Sequence, residues 1–195
     1  MPRGRAVLAP FEESRPTLSA GARAELVQLG LDGAGGERSR PGLDPVPGRA
    51  VMPRRAICAP AVLNEAYDYA KPSSFSRGVR VELPGASMLF LSGTASVDEA
   101  GRTVHEGDFE GQCLRTFRNL TALLVAEGAS WHDVVRTTCY LRDIDRDYAA
   151  FNTMRTAFLT AIGVDPLPAS TGIEAGLCRP DLLIEIEAVA ILPRD

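Results

Sequence analysis

A chain of 195 residues, 45% hydrophobic and 24% charged, has the bulk of one globular domain with a sizeable core, and is short for two. Its net charge of −4 argues against nucleic acid or an anionic membrane as the main partner. The charge is uneven: nine Arg against six Asp and Glu give residues 1–60 a charge of +3, and the −4 total leaves −7 for the remainder.

Residues 1–60 also hold eight of the fourteen prolines and eight of the eighteen glycines. The stretch 30–49 (GLDGAGGERSRPGLDPVPGR) buries too little apolar surface to offset the entropy of ordering it. Residues 1–60 therefore read as a flexible Pro/Gly/Arg-rich extension, with a short helix at most over 17–29, and residues 61–195 as the domain. Met52 opens a more ordinary sequence and is a second candidate start. The N-terminus carries arginines without an apolar core of signal-peptide type, and no apolar run has the length of a membrane span. Cys58, Cys113, Cys139 and Cys178 are widely spaced, with no CxxC pair, as expected of reduced thiols in a cytoplasmic protein. With His105 and His132 they form no metal-ligand spacing, so neither a metal nor another cofactor is expected.

From Lys71 onward the elements follow in regular order. Residues 79–83 (VRVEL) alternate and end at the turn signal Pro84-Gly85. Residues 87–91 (SMLFL) read as a buried strand broken by Ser92-Gly93. Residues 98–102 (DEAGR) form a hairpin-like turn. Asp108 is a candidate N-cap for a helix to about Glu127, with Phe109, Cys113, Phe117, Leu120, Leu123 and Leu124 at helical spacing and Gly128 as its stop. Residues 134–141 (VVRTTCYL) have strand composition. A second helix begins near 145–147 and ends before Gly163. Pro166-Leu167-Pro168 forces an extended segment before a strand at 170–174, and the closing strand spans 182–192. The order ββ-α-β-α-ββ predicts an α+β fold, a mixed sheet with two helices packed on one face.

In the closing strand, residues 183–189 (LIEIEAV) put Ile184, Ile186 and Ala188 on one face and Glu185 and Glu187 on the other. Alternation alone is compatible with a solvated sheet face. It is also compatible with a carboxyl lining a cleft, where desolvation would raise its pKa for acid/base work.

Three stretches together, FLSGTASVDEAGR (90–102), GASWHDVVRTTCYLRDIDRDYAAFNTMRTAFL (128–159) and PASTGIEAGLCRPDLLIEIEAVAIL (168–192), resemble the RidA/YjgF superfamily over about residues 72–193. The resemblance implies a chorismate-mutase-like fold, a homotrimer, and small-molecule clefts between subunits. Imine-hydrolysing members carry an Arg two residues after the Pro of a P-A-R-S motif, where it holds the substrate carboxylate. Here the motif reads Pro168-Ala169-Ser170-Thr171, and a hydroxyl cannot replace a bidentate cationic fork.

Within the superfamily, SGTAS, GDFEGQ with RNLTALL, PASTGI and CRPDLLIEIEA look like the C-terminal half of chorismatases, which cleave the enolpyruvyl ether of chorismate. The N-terminal half of those two-part enzymes has no counterpart in residues 1–60. That resemblance implies Glu185 as the catalytic acid, with Cys178, seven residues earlier, and the small Ala95 shaping the pocket. Gly93, Ser170, Thr171 and Asn152 join them as candidate substrate-binding residues. A substrate with two carboxylates needs at least two cations, and Arg77, Arg80, Arg142 and Arg179 are the candidates. Cys178 has no base in its sequence context and is read as lining the pocket. Tyr69 and Phe75 are candidate wall residues.

Two functions of different class follow. One is an enzyme acting on a chorismate-like enol ether or an enamine or imine through Glu185, and the other a noncatalytic metabolite-binding trimer. In both the partners are a small molecule and further copies of the chain, with no nucleic acid and no membrane. A basic stripe and a His pair, which a ribonuclease would need, are absent from the acidic domain.

Overall fold

The computed structural model describes residues 18–29, 31, 42–69 and 72–193. It divides into two compact units, Met1–Val51 and Met52–Asp195. In the first, Ala20–Gln28 forms helix α1, capped by the Ser19 hydroxyl, which accepts from the Ala22 N–H at 3.2 Å. The flexibility expected of the extension concerns largely residues 1–17 and 32–41, which lie outside the described residues.

The second unit contains β1 (Arg54–Ala56), β2 (Gly78–Leu83), β3 (Ala86–Ala95), α2 (Phe109–Ala126), β4 (Val134–Leu141), α3 (Ile144–Ala161), β5 (Ala169–Glu174) and β6 (Ile184–Pro193). The six strands form one sheet in the order β1-β2-β3-β6-β4-β5. All neighbours are antiparallel except β4 and β5, which run parallel. The sheet is therefore mixed, as predicted, and α2 and α3 cover one face of it. β1 is an addition: it pairs Arg54 to Ala56 with β2 and so belongs with the sheet rather than with the extension. Its residues, Arg-Arg-Ala, are all exposed and carry no apolar alternation to betray a strand.

Capping chemistry sets the helix starts. The Asp108 carboxylate accepts from the Gly111 N–H at 3.0 Å, and that of Asp143 from the Arg146 N–H at 2.9 Å. α2 stops where Gly128 takes φ +70°, a conformation open to glycine at little cost. Cys113, Phe117, Leu120 and Leu124 of α2, with Phe151 and Leu159 of α3, pack on Leu89, Leu91, Cys139, Ile184, Ile186 and Ala188 of the sheet. Phe117, Trp131 and Phe158 close one end as an aromatic cluster, the two phenylalanine rings stacked with centroids 4.7 Å apart. Complete burial of one such large apolar side chain is worth about 1.5–3 kcal/mol.

The opposite face of the sheet has no helix on it among the described residues. Val79, Phe90, Val189, Glu187, Arg136 and Thr138 line a shallow hollow there of about 320 Å³. Phe90 is 44% exposed.

β3 does not end at Ser92-Gly93, as its sequence suggests, but runs on to Ala95 through a bulge. Leu91 pairs with Ala188 and Thr94 with Ile186, so that Ser92 and Gly93 together face Glu187. The bulge is held from outside the ladder. Ser92 donates its N–H to the Arg77 carbonyl at 3.1 Å and its hydroxyl to that of Ser76 at 2.7 Å.

Candidate active site

Glu185 stands on the uncovered face of β6, between Ala95 of β3 and Tyr140 of β4 in the strand register. Its neighbours along the strand, Ile184 and Ile186, are fully buried on the helix side. The bulge brings Gly93 directly beneath the carboxyl. A Cβ at position 93 would lie 1.9 Å from Glu185 Oε1, so only glycine leaves room for the acid in this position. Glu185 is half-buried, and this loss of water, with the negative charge of Glu187 second, pushes its pKa above the usual carboxylate range. Among the described residues no side chain donates a hydrogen bond to it. Glu187 differs: the Tyr140 hydroxyl donates to its Oε1 at 2.6 Å. The two carboxyls of the alternating strand are thus unequal, one tied to a phenol and one poised in a partly dry seat.

Ser170 sits on the other side of the sheet. Its register partner is Thr137, whose hydroxyl donates to Ser170 Oγ at 3.0 Å. The hydroxyl also accepts from Arg155 Nη1 at 2.9 Å, and Arg155 Nη2 donates to Asn152 Oδ1 at 2.8 Å. Two predicted residues, Ser170 and Asn152, therefore meet through a third, Arg155 of α3, whose guanidinium also lies 4.9 Å from the Phe151 ring centre. Thr171 points to the uncovered face, where its Oγ1 accepts from Arg136 at 3.3 Å.

Of the remaining candidates, Arg77, Arg142 and Arg179 gather around Tyr69 and the chain before β6, away from the hydrogen bonds of Ser170 and Asn152. Arg77 is only 4% exposed, donates from Nε to the Asn64 carbonyl at 2.9 Å, and lies over the rings of Tyr69 and Phe75 at 4.9 and 5.3 Å. Arg142 donates to the carbonyls of Leu182 and Arg179, pinning the chain just before β6. Arg179 donates to the Gly101 carbonyl. Arg80, paired with Glu82 at 2.8 Å, also reaches Glu127, within a network that includes Arg55. Arg142 is thus tied to main-chain carbonyls, and so is Nε of Arg77, while Arg77 Nη2 is buried without a hydrogen-bond partner among the described residues. Cys178 is exposed, in the connection between β5 and β6, and no hydrogen bond links it to Glu185 among the described residues. Ala95 is buried beside Glu185, its carbonyl taken by Asn119 Nδ2 at 3.0 Å.

Two participants escaped the sequence reading: Tyr140 distinguishes Glu187 from Glu185, and Arg155 is the cation beside Ser170. Gly93, a candidate from the sequence, is the seat of the acid. A signal existed for Arg155, because Phe151, Asn152 and Arg155 share one face of a helix at three- and four-residue spacing. Among the described residues no cluster of three His, Cys, Asp or Glu side chains could hold a metal ion, and no helix is long and apolar enough to cross a membrane.

The profile of the family described as Endoribonuclease L-PSP matches residues 69–192, well over half of the chain. The chain belongs to that family. It is the RidA/YjgF group to which the sequence motifs point, and its relatives agree. The RidA/YjgF chain is 33% identical over 105 residues to the 2-iminobutanoate/2-iminopropanoate deaminase of Salmonella typhimurium, covering 54% of itself and 80% of that protein. It is 30% identical over 116 residues to a RutC family protein of Pyrococcus abyssi, covering 60% and 84% of the two chains. The YjgF gene product of E. coli, known from its crystal structure, superposes with a TM-score of 0.57 at 27% identity, covering 70% of this RidA/YjgF chain and 98% of its own.

Proposed function

We propose that this RidA/YjgF chain is a small-molecule enzyme in which Glu185 acts as acid and base on an enol ether, enamine or imine, at a cleft between copies of the chain. The observation that carries this reading is the Glu185 carboxyl itself. It is half-buried over Gly93, free of donors among the described residues, and held above the ordinary carboxylate range by burial. A carboxyl that holds its proton more tightly than usual can act as a general acid toward the terminal carbon of an enol ether or enamine. Water then adds to the cationic carbon, returning a proton to the carboxylate, and the product collapses to a ketone with loss of the alcohol or of ammonia.

Opposite placement of Glu185 and the Ser170–Arg155 cluster favours a cleft shared by two copies. One ligand touching both groups would reach Glu185 of one chain and the β5 edge of another. The apolar floor of the uncovered face, with Phe90 at its surface, gives copies something to bury. The reading includes a homotrimer, and sedimentation of the full chain should give three times the monomer mass.

The likeness to an imine deaminase makes 2-iminopropanoate the first substrate to try, and the chorismatase-like motifs make chorismate the second. Pyruvate is the product of both. Release by the full chain, lost in Glu185→Gln, is the expected result. Ligand-dependent thermal stabilisation with no pyruvate from either substrate would favour the noncatalytic trimer.

A further inference from the structure

Most arginines near the sheet are spoken for. Arg55, Arg80, Arg102 and Arg146 each face a carboxylate, while Arg77, Arg142 and Arg179 donate to main-chain carbonyls. Arg136 donates to the Thr171 hydroxyl, and Arg77 Nη2 is buried without a hydrogen-bond partner among the described residues. Arg155 stands out by being held on three sides by neutral groups. No carboxylate lies within ion-pair distance of it among the described residues, and its partners are neutral: Ser170 Oγ, Asn152 Oδ1 and the face of Phe151.

We propose that Arg155 is the carboxylate receptor of this chain, a guanidinium fixed by Ser170, Asn152 and Phe151 to grip one carboxylate of an anionic substrate. The proposal deepens the enzymatic reading above and rests on it for the reacting part of the substrate. Three arguments support it. First, a guanidinium has five N–H donors, and two hydrogen bonds to side chains leave three for an anion. Second, the fork is already immobilised. Stacking on Phe151 and bonds to two neighbouring side chains hold it in place, so binding forfeits little further rotamer freedom. Third, the Ser170 hydroxyl accepts from both Thr137 and Arg155, which leaves its own proton for Cys139 Sγ at 3.9 Å or for a bound oxygen.

The arrangement also gives Ser170 a reason to be small and polar. An arginine side chain at position 170 would compete with Arg155 for the same space beside Thr137. A serine instead accepts the helix arginine and positions it. The cation is therefore supplied by α3 and aimed by β5, so Ser170 and Asn152 are positioning residues. The ligand class follows: a carboxylate, planar and bidentate, in preference to its neutral amide.

The test is calorimetric titration of the full chain with pyruvate, using pyruvamide as the neutral comparator. Wild type should bind pyruvate in clear preference to pyruvamide, and Arg155→Gln should weaken pyruvate binding by about tenfold or more while leaving pyruvamide unchanged. Arg155→Lys keeps the charge without the fork and should fall between them, and it stands in should Arg155→Gln fail a thermal-unfolding check. Glu185→Gln should still bind pyruvate, and a wild type that shows Arg155-dependent binding but no turnover would refute the catalytic reading alone. Equal pyruvate affinity in wild type and both Arg155 variants overturns the proposal. So does a wild type that binds pyruvate no better than pyruvamide, or does not bind it at all.

Discussion

Gly93 lies so close under Glu185 that a single added methyl would stand 1.9 Å from the carboxylate oxygen. The contact arises because the β3 bulge sets two residues, Ser92 and Gly93, opposite Glu187, which carries the second of them towards the neighbouring acid. Position 93 therefore tunes the acid without touching the chemistry itself.

Gly93→Ala should displace the Glu185 carboxyl by an ångström or so and lower turnover by about 10²-fold, with about 1–3 kcal/mol of stability lost to overpacking. Pyruvate-release kinetics set against thermal unfolding would separate the two effects. Activity close to wild type would mean that the carboxyl has another resting place.

Glu185 gives the fold a pH dependence with a definite sign. Its pKa is raised from the ordinary 4.5, so the folded chain holds this proton more tightly than the unfolded chain. Ionised Glu185 is thus a destabilising group, absent below pH 4.5 and fully felt above the raised value. Glu185→Gln should melt higher than wild type at pH 8, and the difference should vanish at about pH 4. An equal gain at both values would show that the burial penalty has some other source.

Tyr140 reports on the second acid. Its hydrogen bond to Glu187, then burial and the charges of Glu187 and Glu185, push the phenol up to about 12 from the ordinary 10.0. Ultraviolet titration should show this tyrosine ionising late, and Glu187→Gln should bring it back towards its ordinary value. Tyr140→Phe should cost about 1–2 kcal/mol, because the carboxylate loses a charge-assisted donor.

Asn119 supports the site from behind. It is fully buried, and its Nδ2 donates to the carbonyls of Ala95 and Val97, each at 3.0 Å, just past the bulge. Asn119→Ala should lose about 2–3 kcal/mol, since two buried carbonyls lose their shared donor and a small cavity opens. Chemical unfolding would measure it. A loss within about 0.5 kcal/mol would mean that water replaces the amide there.

The sequence by itself determined the parts of this protein that are written locally. Asp108 begins its helix because its carboxylate reaches the N–H three residues on, and the two faces of β6 follow from alternation within seven residues. The second helix is capped by Asp143, ahead of the start expected near 145–147. The motifs, read in order, pointed to the family and singled out Glu185. What lay beyond reach depends on partners distant in the chain. β1 is a strand only because β2 offers it an edge, since Arg-Arg-Ala has no apolar pattern of its own. Gly93 looked like a strand terminator until β6 was laid beside it. Ser170 and Glu185 read as parts of one site in the sequence, and only the register of β6, β4 and β5 decides that their side chains leave opposite faces of the sheet. Arg155 shares a helix face with Phe151 and Asn152, but only packing α3 against β5 made it the partner of Ser170. Capping and periodicity act over a few residues, whereas register and the sharing of a face are settled by burial of the whole core.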